Sequence, residues 1–77
     1  MRFDEAYKAT LPIQSNAGRG AVEKALIFTM RELNEGDYDE SELVEYAIAE
    51  GIIEISFDAD YLRVNDIASD IMYGSQY

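Results

Sequence analysis

The chain has 77 residues, with sixteen acids against six bases, no histidine, and a formal net charge of −10. It has no cysteine, no tryptophan and a single proline. These counts exclude a disulfide framework and thiolate chemistry, remove the commonest general base and metal ligand, and oppose direct contact with a phosphate backbone.

In chain order, Phe3, Ala6, Tyr7 and Thr10 or Leu11 have helical spacing, and Pro12 stops that first short helix. Residues 12–20 read as a loop, with Asn16 as the expected N-cap of the next helix. The spacing predicts a helix over 18–34. Val22, Ala25, Leu26, Thr29, Met30 and Leu33 share its buried face, and Gly36 is its natural stop. Ile27 and Phe28 fall outside that stripe. The favoured reading is that the first helix packs over them; the alternative is an apolar dimer contact through Ile27 and Phe28. Asp39 and Glu42 then form a capping-box pattern, with Tyr38 and Leu43 at staple positions. The helix that follows faces Leu43, Val44, Ala47 and Ile48 inward and Glu42, Glu45, Tyr46 and Ala49 outward, and Gly51 ends it.

Residues 52–57 alternate with period two, placing Ile53, Ile55 and Phe57 on one face. Residues 61–65 place Leu62 and Val64 inward. Together they predict a β-hairpin turning at Asp58-Ala59-Asp60, with Glu54 opposite Arg63 in one register. Asn65 or Asp66 then caps a short last helix carrying Ile67, Ala68, Ile71 and Met72. Gly74 ends it, and Ser75-Gln76-Tyr77 is expected to fray. The expected architecture is one α+β domain over residues 1–77, in the order α-α-α-β-β-α, with helices packed on one face of the hairpin.

Nearly half of the residues are apolar, enough to offset chain entropy, although a core this small rarely supplies more than ~3–5 kcal/mol. No apolar run approaches the ~18–20 residues of a membrane span, and there is no signal-peptide pattern. The expectation is a cytoplasmic protein without a membrane partner.

Charge is concentrated. From Glu32 to Asp66 there are twelve acids and one base, Arg63, for a net −11, whereas the other residues sum to +1. Asp37, Asp39 and Ser41 have the opening spacing of a calcium loop. However, Glu42 stands where that loop needs Gly, and Ile48 where it needs a bidentate Glu. No nucleophile has a conventional activator and no phosphate-binding glycine loop is present, so no catalytic residue, metal or cofactor is expected. Helix capping accounts for Asp39, Glu40 and Glu42. Glu35, Asp37, Glu45, Glu50, Asp58 and Asp60 have no such local reason, and like charges in a cluster repel. Tyr38, Tyr46 and Tyr61 are interleaved with them, and Tyr is a frequent interface anchor.

The stretch Gly36-Asp37-Tyr38-Asp39-Glu40-Ser41-Glu42-Leu43-Val44 resembles in layout the attachment site and second helix of acyl carrier proteins, and Ile53-Glu54-Ile55 looks like the segment after it. The resemblance covers about half of the chain. Aligned on Asp39 and Glu42-Leu43-Val44, the modified serine's position holds Asp37, so a carrier-like module would lack its prosthetic arm. In size and charge the chain is also similar to small phage-encoded inhibitors, the DNA-mimic anti-restriction and anti-CRISPR proteins.

The preferred expectation is a non-enzymatic acidic protein that engages the basic surface of a nucleic-acid-binding protein. The residues expected to carry it are Asp37, Asp39, Glu42, Glu45, Tyr46, Glu50, Asp58 and Asp60. The alternative is a homodimeric assembly module that works through apolar contact at Ile27, Phe28 and Ile52. A winged helix-turn-helix that reads DNA is disfavoured, because the helix before the hairpin carries Glu42, Glu45 and Glu50 and no base.

Overall fold

The computed structural model describes residues 3–34 and 36–74. Glu35 and the 75–77 tail, on which two of the expectations fall, lie outside the described residues. The elements are α1 (Phe3–Lys8), β1 (Ile13–Gln14), α2 (Arg19–Leu33), α3 (Glu40–Ala49), β2 (Ile53–Glu54) and α4 (Asp58–Tyr73). The chain is a small α+β domain, but the hairpin is not there.

α2 and α3 form where their local patterns place them. α2 buries Val22, Ala25, Leu26, Phe28 and Thr29. The Thr29 hydroxyl donates back to the Ala25 carbonyl at 2.8 Å, so its burial leaves no polar group unmet. The N-cap of α2 is Gly18, without a side-chain bond, rather than Asn16. The helix ends one turn's reach before Gly36. Asn34 adopts φ 66° there, and its N–H returns to the Met30 carbonyl.

α3 opens with the full capping box. Asp39 Oδ1 accepts from the Glu42 N–H at 2.8 Å, and Glu42 Oε1 accepts from the Asp39 N–H at 2.9 Å. Its far end is a Schellman turn. The Gly51 N–H donates to the Ile48 carbonyl and the Ile52 N–H to the Ala47 carbonyl. Gly51 supplies the left-handed φ of 73° that this turn needs. The turn drives Ile52 into the core, 3% exposed.

β2 follows at once, and its partner is β1 in parallel, Ile13 opposite Ile53 and Gln14 opposite Glu54. Parallel strands need a long crossover, and here it contains both α2 and α3. Part of the predicted 12–20 loop is therefore a strand.

Residues 58–73, read above as a turn, a second strand and a capped short helix, are one continuous helix. Leu62, expected inward, is 71% exposed, whereas Val64 is fully buried. Two inward positions cannot distinguish a period of two from one of 3.6. Val64, Ile67 and Ala68 continue at helical spacing and are all buried. Asp58 and Asp60, which resemble a turn, also suit the first turn of a helix, where the dipole favours negative charge. With the second strand gone, Glu54 does not meet Arg63; its carboxylate accepts from Gln14 Nε2 at 2.7 Å. Among the described residues there is therefore no hairpin to serve as the wing of a winged helix.

α2, α3 and α4 pack against one another, and the two short strands cover one side of that trio. The core comprises Val22, Ala25 and Leu26 of α2, Leu43, Val44 and Ala47 of α3, and Val64, Ile67 and Ala68 of α4, with Ile52 and Ile53. α1 adds Tyr7, whose ring meets Phe28 edge-on at 5.0 Å between centroids.

Candidate protein-binding surface

α3 and α4 lie side by side in opposite senses. Ser41 Oγ reaches Asn65 Oδ1 at 3.4 Å, the Tyr61 hydroxyl donates to Glu45, and the Tyr73 hydroxyl donates to Glu40 at 3.0 Å. The seam therefore joins the start of α4 to the middle of α3, and the end of α4 to the start of α3. Because each phenol donates to a carboxylate, both phenol pKa values are raised above the ordinary tyrosine value; the hydrogen bond is the leading cause in each case.

The candidate acids occupy this pair of helices unequally. At 3.6 residues per turn, Glu42, Glu45, Tyr46 and Ala49 span about 100° of the α3 surface. Glu42 and Glu45 are exposed, and Tyr46 is half-buried beside them. Asp37 and Asp39 are exposed just before the helix. Glu50, also exposed, lies at the opposite end of α3, roughly 16 Å of helical rise beyond Asp39. It borders a hollow shared with Lys8, Leu11 and Glu32, which sets it apart from the others. Asp58 is exposed on the first turn of α4.

Asp60 differs from the rest. It is half-buried, and its carboxylate accepts from Ser15 Oγ at 3.0 Å. Its charge has a structural use that no sequence pattern announces. Ser15 itself is fully buried. Its N–H donates to the Glu54 carbonyl at 2.8 Å, and its Oγ accepts the Ser56 N–H at 2.7 Å. Its carbonyl accepts from Arg63 Nη1 at 2.6 Å, and Arg63 Nη2 donates to the Ala17 carbonyl at 3.0 Å. One serine thus ties β1, β2 and α4 together.

Arg63 is the only base between Glu32 and Asp66. Its guanidinium is turned onto two backbone carbonyls and makes no ion pair among the described residues. Among the described residues the ion pairs are Lys8–Glu32, Arg19–Glu23 and Arg19–Asp70. All three draw their cation from α1 or α2. None of Asp37, Asp39, Glu42, Glu45, Glu50, Asp58 or Asp60 is in one. Among the described residues no three carboxylates converge as they would around a metal ion.

Of the three apolar residues offered as a dimer contact, Phe28, beneath Tyr7, and Ile52 are each 3% exposed and closed to any partner. Ile27 is 42% exposed. It stands between two shallow hollows, one bounded by Tyr7, Lys24 and Arg31, the other by Met30, Asn34 and Ile71. Lys24 extends over the Tyr7 ring, 5.2 Å from its centroid. No family model, no curated protein and no solved structure matches this chain. No described helix is long and apolar enough to cross a membrane.

Proposed function

We propose that this is a non-enzymatic acidic binding protein whose α3 surface and α4 N-terminus engage the basic surface of a nucleic-acid-binding protein, in the manner of a DNA mimic. The observation that carries the reading is that, among the described residues, Asp37, Asp39, Glu42, Glu45 and Asp58 are exposed and in no ion pair, the one local base being folded inward onto carbonyls. Successive carboxylates three residues apart rise ~4.5 Å along a helix, comparable with the ~3.4 Å rise per phosphate along one DNA strand. A basic groove built for phosphates meets similar charge spacing here. Tyr46, half-buried among the acids, adds an aromatic contact.

The test is capture by the tagged chain from its host's lysate at low and high salt, beside the variant Glu42→Gln/Glu45→Gln/Glu50→Gln. Gln at position 42 preserves the capping box, and Gln at 45 still accepts from Tyr61, so the fold is retained. The captured protein is expected to bind duplex DNA, to be displaced by it, and to leave at high salt. Its affinity for the variant is expected to fall about 10- to 100-fold, at ~0.5–1 kcal/mol per lost charge contact. Capture indifferent to salt, to DNA and to the variant overturns the reading. A salt-insensitive dimer that Ile27→Ser dissociates would favour the second reading, an assembly module, which rests on the exposure of Ile27.

A further inference from the structure

The outer side of α2 carries a second stripe that the core does not use. Gly20, Lys24, Ile27, Arg31 and Asn34 follow one another at steps of four and three residues, and all five are exposed. Spacing of that kind forms the seam along which one helix packs on another. From Gly20 to Asn34 the stripe rises ~21 Å, at ~1.5 Å per residue. The two hollows beside Ile27 lie along it and share Ile27 and Arg31 in their walls, so they join into one groove. Tyr7 and Phe28 line the first hollow, and Met30 and Ile71 line the second. Gly20 borders the first, and nothing inside the chain requires a glycine there. Its backbone is helical, and a Cβ would meet no atom within 4 Å. Glycine weakens a helix, so its place at the edge of the groove suits an element that approaches closely from outside.

We infer that this groove docks an acidic amphipathic helix of a partner protein, whose apolar side chains enter the hollows on either side of Ile27 and whose carboxylates meet Lys24 and Arg31. Charge selects that occupant. α2 holds three of the six bases, Arg19, Lys24 and Arg31. Its two acids are engaged within the chain, Glu23 by Arg19 and Glu32 by Lys8. Lys24 and Arg31 stand one turn to either side of Ile27, the apolar residue of the stripe. The net charge of −10 opposes an acidic partner only at long range, because at ~0.15 M salt charges beyond ~8 Å are largely screened. None of the acids assigned to the α3–α4 surface lines the groove, so this contact is independent of the function proposed above. A second copy is a poor occupant. Antiparallel pairing of two α2 stripes about Ile27 would set Lys24 of one copy beside Arg31 of the other, and the acidic α3 buries its apolar face in its own core. A small ligand fits poorly too, since hollows this shallow would leave much of it in water.

The test titrates the intact chain, at ~0.15 M salt, with a glutamate–leucine peptide of about four helical turns whose leucines form one stripe. A peptide of the same composition in scrambled order is the control. The ordered peptide is expected to bind about tenfold more tightly than the scrambled one. Ile27→Gln and Lys24→Gln/Arg31→Gln are each expected to weaken its binding about tenfold. Gly20→Glu is expected to weaken it as well, by placing bulk and like charge in the groove. The same change is expected to raise the urea midpoint, because an acid in the first turn suits the helix dipole, so loss of fold cannot mimic the result. The Glu42→Gln/Glu45→Gln/Glu50→Gln variant is expected to bind the peptide as the wild type does. Failure of the ordered peptide to bind, equal binding of the scrambled one, or an affinity that the groove variants leave unchanged overturns the inference. Binding lowered by Ile27→Gln but not by Lys24→Gln/Arg31→Gln overturns the acidic partner. A dimer in sedimentation that Ile27→Gln dissociates overturns it in favour of a second copy.

Discussion

Ser15 has no exposed surface, and its N–H, carbonyl and hydroxyl are all engaged. Ser15→Ala would leave the Ser56 N–H without its acceptor and Asp60 without its donor. Losing a partner costs more than the net worth of a bond, because the remaining group stays desolvated. The expected loss is about 1–3 kcal/mol, read from the midpoint of urea unfolding. Ser56→Ala, which removes an exposed hydroxyl bound to Gln14, is the control and should cost far less. Equal effects would show that Ser15 is not the junction. Nothing in the sequence marks Ser15. It stands in a polar stretch with glycines, and its partners lie 39 to 48 residues away. The same distance explains why Asp60 looked like a surface charge and why Arg63 was paired with Glu54. Each assignment depended on a neighbour that only the folded chain provides.

At the scale of elements, signals within one turn of a helix were sufficient. The stripe of α2, the capping box of α3 and the Gly51 stop needed no distant partner, and each lies where the pattern placed it. The sequence reading departs from the structure at α4 because the first half of that helix is ambiguous over five residues and its N-cap is weak, although Gly74 ends it as expected. Phe57 is no capping residue, and the Asp-Ala-Asp run suits a turn as well as a first helical turn. Packing resolves the ambiguity, since as a helix this segment buries Val64, Ile67 and Ala68 against α2 and α3. The Tyr61–Glu45 bond crosses the resulting seam. Its raised phenol pKa is a stability contribution fully present below the ordinary tyrosine value of ~10 and lost as pH rises through the folded value. The phenolate absorbance of Tyr61, isolated by difference against Tyr61→Phe, is expected to appear later than in the unfolded chain, and earlier in Glu45→Gln. An ordinary titration of Tyr61 would remove this link between α3 and α4.

At the scale of the whole molecule, the charge dominates. The domain measures 34 × 29 × 24 Å, so at ~0.01 M salt, where the Debye length is ~30 Å, its acids repel across the entire structure. The three ion pairs found among the described residues are exposed, and screening them removes little. Added NaCl is therefore expected to raise the urea midpoint, and to raise it less in Glu42→Gln/Glu45→Gln/Glu50→Gln. A midpoint that falls with salt would mean that ion pairs outweigh repulsion. By itself the sequence determined the acidic middle, the two best-patterned helices and the exposure of most of the candidate acids, because charge, capping and helical periodicity act within a few residues. Only the tertiary structure decided that β1 pairs with β2 across two helices, that residues 58–73 are one helix, that Arg63 turns inward and that Phe57 and Leu62 face solvent. Those outcomes depend on burial and hydrogen bonding between segments some forty residues apart, which no local pattern encodes.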